Sequence, residues 1–121
     1  MIDGYRRGWA HRYLREAKAE LEAAQKIPYM APSLMLEAIR KARNAIYYSL
    51  GEPAFIEVLV RDEIAKPKQS NDTILRFLIE MEKTVQQIGE LEEINGDAMM
   101  KQADTMVQVA SEFVEALTEE D

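Results

Sequence analysis

Apolar residues recur every three or four positions from Tyr5 to about Lys26: Tyr5, Trp9, Tyr13, Ala17, Leu21 and Ala24 form a stripe that Leu14 widens, with Arg and Glu opposite. That spacing predicts an amphipathic helix. IPYMAPS interrupts it, since Pro28 and Pro32 each lack a backbone donor and push the preceding residue out of helical space. A second helix is expected from Pro32 or Ser33, with Met35, Ala38, Ile39, Ala42, Ala45, Ile46 and Leu50 along one face and Gly51 as its stop. The alanines in that stripe would admit a neighbouring helix closely. Pro53 opens a shorter element, PAFIEVLVRDEIA, whose β-branched and aromatic residues also suit a strand. Helix is preferred because no second strand exists to pair with it.

KPKQSND reads as a linker with capping residues. Beyond it Ile74, Leu78, Met81, Val85 and Ile88, and then Met100, Ala103, Val107, Ala110, Val114 and Leu117, alternate steps of three and four. These predict two helices with heptad seams, joined at Asn95-Gly96 as an antiparallel hairpin, with Gly89 ending or weakening the first. The expected fold is all-α: four long helices and one short one in an up-and-down bundle, a single domain over residues 1–121. Leu34, Leu36, Tyr47 and Tyr48 lie off the main stripe of the second helix, where one core contact would not cover them. With Arg43 they are the expected interface of a homo-oligomer or a protein partner.

Composition narrows the chemistry. Hydrophobic residues make up 47% and charged residues 31%, enough apolar material for one core. With no cysteine, disulfides, thiolate catalysis and cysteine-held metals are excluded. No apolar run reaches the roughly 20 residues of a membrane span, and MIDGYRRGWAH lacks the core of a signal peptide, so no membrane role and a cytoplasmic address are expected. Net charge is −7 but uneven: residues 1–50 carry nine Lys/Arg against five Asp/Glu, and the remainder six against seventeen. The basic half is expected to dock on acidic helices of its own fold or of a second subunit, which disfavours nucleic acid as a partner.

YLREAKAELEAAQ, a proline-containing break and EAIRKARNAIYYSLG together resemble the opening of the HEPN superfamily, small helical bundles found in prokaryotic toxin pairs and beside nucleotidyltransferases. The likeness spans the first half of the chain. It implies a four- to five-helix fold, homodimerisation, and either RNA cleavage or a binding role beside an enzyme. Active members carry an arginine, often followed by a polar residue, and then a histidine after four to six intervening positions. Arg43-Asn44 begins that spelling, but Tyr48, Ser49 and Leu50 stand where histidine would. A tyrosine, whose pKa lies about three units above that of histidine, does not shuttle protons near neutrality. Arg43 is therefore read as a surface or interface charge.

RRGWAHRY completes the spelling elsewhere, with Arg6, His11 and Tyr13. Helical steps of five and two turn these residues by about 140° and 200°, so the three do not share a face, whereas Arg7 and His11 do. A metal-independent RNase using His11 with Arg6 or Arg7 is the competing reading, and would need two such helices to meet. Glu90 with Glu93 and Glu112 with Glu115 resemble the paired acids of all-helical, magnesium-dependent nucleotide pyrophosphohydrolases, although a glutamate stands where that family has aspartate. A turn at Asn95-Gly96 would set Glu90 opposite about residue 101 and Glu112 near Glu80 and Glu82, too far apart for one ion. Trp9, Tyr13, Tyr47 and Tyr48 beside Arg12 and Arg43 could stack bases, but helical spacing suits a core. The sequence reading is a non-enzymatic, HEPN-like interaction module with no cofactor and no metal, a homodimer or the companion of another protein such as a nucleotidyltransferase.

Overall fold

Asp3 starts the first helix, its carboxylate accepting the Arg6 backbone N–H at 2.9 Å and so satisfying one of the donors a helix start leaves open. In a computed structural model describing residues 3–68, 71–90 and 96–119, this helix, α1, runs Gly4–Lys26. A 3-10 turn over Pro28–Met30 reverses the chain into α2, Ala31–Leu50, with Pro32 in its first turn. Pro53 begins α3, Pro53–Ala65, and the FIEVLV segment is helical. Asp72 caps α4, Thr73–Glu90, by accepting the Leu75 N–H at 2.8 Å, and α5 covers Gly96–Thr118. Four long helices and one short one thus make an all-α fold, with no strand among the described residues. Gln69 and Ser70 of the expected linker, Glu93, Asn95 and the side chain of Glu90 lie outside what is described.

Central α2 packs against every other helix. Its neighbour α1 runs antiparallel to it: Trp9 stacks on Tyr48, and further along Lys41 meets Glu20. The two backbones approach over alanine, with Ala10, Ala17 and Ala24 of α1 and Ala38, Ala42 and Ala45 of α2 all buried. Met35, Ile39 and Ile46 complete the core from α2, and Ala103, Val107, Ala110 and Val114 close it from α5. The last two helices are antiparallel, with the rings of Phe77 and Phe113 5.4 Å apart and Gln102 donating to Thr84 at 3.2 Å.

The expected stripes need correction at their edges. Tyr5 is exposed and Ala10 takes the core position, because Tyr5 falls opposite Glu52, where α2 has already ended. Leu50 is exposed for the same reason, at the end of its helix. In the last two helices Ile79 and Met106 are buried outside the expected seams, while Ile74, Met100 and Leu117 are only half-buried. A helix that faces two neighbours needs a wider apolar stripe than a two-stranded seam. No helix among the described residues is long and apolar enough to cross a membrane.

Candidate functional site

The three residues of the RRGWAHRY spelling point in different directions. Arg6 turns back to Asp3, its Nε donating to the carboxylate at 2.8 Å. Tyr13 belongs to an aromatic ladder with Trp9 and Tyr48, its ring 5.7 Å from that of Tyr48. His11 faces the end of α5 instead. There Thr118 gives its hydroxyl proton to the Val114 carbonyl at 2.7 Å, so its oxygen can only accept from His11 Nε2, 3.4 Å away. That contact favours the Nε2–H tautomer. Arg7, on the same face as His11, donates to the Thr118 carbonyl at 2.7 Å, a cation placed where a helix C-terminus leaves carbonyls unbonded. The pair therefore ties the start of α1 to the end of α5.

Beside this tie lies an open cleft of about 650 Å³ lined by Arg7, His11, Thr118 and the carboxylates of Glu112, Glu115 and Glu119. Those acids would repel a phosphate approaching His11, the opposite of what stabilises a phosphoryl transition state. Glu112 and Glu115 thus stand with α1, in the last two turns of α5. Among the described residues, no three His, Asp or Glu side chains are placed to hold one metal ion.

Arg43 reaches across to α4, where its Nη1 donates to Glu82 Oε1 at 2.7 Å. Its guanidinium also lies 5.5 Å from the Tyr47 ring centre, and the Tyr47 hydroxyl donates to the same Glu82 oxygen at 3.4 Å. Tyr47 is 3% exposed, so its place on an α2 surface patch is overturned: α4 covers it. Leu34, Leu36 and Tyr48 pack half-buried against the core. The basic half meets the acidic half through Arg43–Glu82 and through the Arg7 cleft, whereas Arg6, Arg12, Arg40 and Lys41 pair with Asp3, Glu16, Glu37 and Glu20 inside the basic half itself.

Burial pushes the Tyr47 phenol well above its ordinary value of 10.0 and raises that of Tyr48 as well. The hydrogen bond to Glu20 raises Lys41 above 10.5. In each case the folded chain holds the proton more tightly than the unfolded one. The stabilisation is complete below about pH 10 and is lost as pH climbs from there through the folded values. Thermal unfolding followed from neutral pH upward should show little change until about pH 10 and then a falling midpoint, less steep in Tyr47→Phe. An equal alkaline slope in that variant would count against Tyr47 as the cause.

The sequence predicts α3 as a helix but not the exposure of its apolar outer side. Its inner side supplies Ile56, Val60 and Glu63, and its outer side leaves Phe55, Val58 and Leu59 at 73%, 52% and 59% exposure. A groove of about 490 Å³ runs between α3 and α4, floored by Leu50, Ile56, Val60, Ile74 and Leu78. The signal was present in the sequence, because FIEVLV is apolar on more sides than one contact can cover. Compared with protein-family models, curated proteins and solved structures, the chain shows no significant match.

Proposed function

We propose that this chain is a non-enzymatic helical interaction module, HEPN-like in its helix pattern, acting as a homodimer or as the companion of another protein such as a nucleotidyltransferase. The observation that carries this reading is the outward face of α3, where three large apolar side chains more than half exposed sit side by side on one short helix. A patch of this kind marks a place where another macromolecule binds. The reading is supported from the other side by His11 and Arg7, which are engaged in holding Thr118 next to three glutamates. It calls for no cofactor or metal and is compatible with a cytoplasmic address.

RNA incubated with the purified chain is expected to stay intact, with wild type and His11→Ala indistinguishable on a gel. Cleavage by wild type that disappears in His11→Ala would reverse the proposal in favour of a metal-independent RNase.

A further inference from the structure

We infer that the outward face of α3 docks a second copy of this chain, two α3 helices lying antiparallel across a two-fold axis at Leu59. The inference rests on the interaction-module reading and names the partner. Its first support is the apolar strip itself: Phe55, Val58 and Leu59 crowd the outward face at successive turns, and Asp62 follows one turn on. Its second support is the order of charges. Glu57 and Arg61 each stand two residues from Leu59, on either side of it. A two-fold axis through Leu59 therefore sets Glu57 against Arg61 of the second copy, and Arg61 against Glu57.

The flanks agree with this register. At about 100° per residue, Glu57 and Arg61 share one side of the apolar strip. A two-fold axis across antiparallel helices keeps each flank facing its own counterpart. Within one chain Arg61 already bonds Glu57 at 2.8 Å, so pairing brings two such bridges together as a quartet of alternating sign. A parallel pair would instead oppose Glu57 to Glu57 and Arg61 to Arg61. An anionic membrane or a nucleic acid fits less well, since the acids Glu52, Glu57, Asp62 and Glu63 outnumber Arg61, Lys66 and Lys68 along this segment.

Size sets the expected affinity. Thirteen residues make a helix about 20 Å long, and two such helices in contact bury on the order of 1,000 Å² in total, at the small end of specific interfaces. The dimer should be reversible, with a Kd of about 10 to 100 µM.

Sedimentation equilibrium from about 1 µM to about 1 mM tests this, with circular dichroism to confirm that each variant is folded. Wild type should pass from monomer to dimer across that range, and Leu59→Glu, which sets two carboxylates on the axis, should raise Kd at least about tenfold. Arg61→Glu should weaken the dimer, and adding Glu57→Arg should restore it. In a chain with no native cysteine, Leu59→Cys should oxidise to a covalent dimer, whereas Gln108→Cys on exposed α5 should not. A monomer at every concentration, a dimer indifferent to Leu59→Glu, or a double reversal that fails to restore pairing would each overturn the inference. Monomer alone would leave the companion-protein reading standing, while RNA cleavage would remove that reading without touching the dimer.

Discussion

Ile46→Ala is expected to cost about 3 to 4 kcal/mol of folding stability and to lower the thermal midpoint by about 10 °C or more. Ile46 is fully buried on α2, the helix that all the others touch. Removing its outer carbons forfeits their transfer energy and leaves a cavity that the surrounding helices can fill only in part, because α1 and α2 already meet over alanine and cannot come closer. Against a total stability of about 5 to 15 kcal/mol for a domain of this kind, that is about a fifth of the whole or more. Ile64→Ala, at a partly exposed position of α3, should cost under about 1 kcal/mol. Urea unfolding of both variants checks the contrast. A loss below about 1 kcal/mol for Ile46→Ala would mean that the centre of the core does not lie on α2.

Glu82→Ala should cost about 2 to 3 kcal/mol, less than for a fully buried pair and well above the value of a surface one. The side chains of Arg43 and Glu82 are 18% and 24% exposed, so water reaches them but screens them poorly. Without Glu82 the Arg43 cation keeps only the Asn44 side-chain oxygen at 3.4 Å and the face of Tyr47. Its Nε is already buried without a hydrogen bond. The cost comes mainly from stranding that charge. Replacing both partners, Arg43→Met with Glu82→Leu, should therefore recover most of the loss. Denaturant midpoints of the single and double variants decide it, and a double variant as unstable as Glu82→Ala would show that the pair itself is the stabiliser.

Much of the fold could be read from short-range features. Pro28, Pro32 and Pro53 act on their own backbone and neighbours, and an Asx cap acts within three residues, so each helix begins within a residue or two of where local chemistry places it. The alanine stripe of α2 announced a close neighbour for the same reason, and α1 is that neighbour. The contacts that assign roles to charged residues are of another kind. Arg7 and His11 meet Thr118 from the far end of the chain, and Arg43 meets Glu82 from the next antiparallel layer. Nothing local to RRGWAHRY or RKARNA specifies such partners. Helix α3 forms as expected, but its exposed side was hidden for another reason: periodicity tells the buried side from the exposed one only when one side is polar, and FIEVLV offers apolar residues on both. Tyr47 lies off the main stripe, which marks a surface position in a helix with one neighbour but not in one with several.

The hub position of α2 bears on how the chain is made. Its sides are claimed by α1, which precedes it, and by α3, α4 and α5, which follow. As the polypeptide leaves the ribosome, α1 and α2 can close on each other at once as a local hairpin. The flank of α2 that takes Val107, Ala110 and Val114 stays bare until α5 has emerged. A core completed by helices far apart in the sequence is slow to shield its apolar surface, and during synthesis that surface is open to chaperones and to other nascent chains.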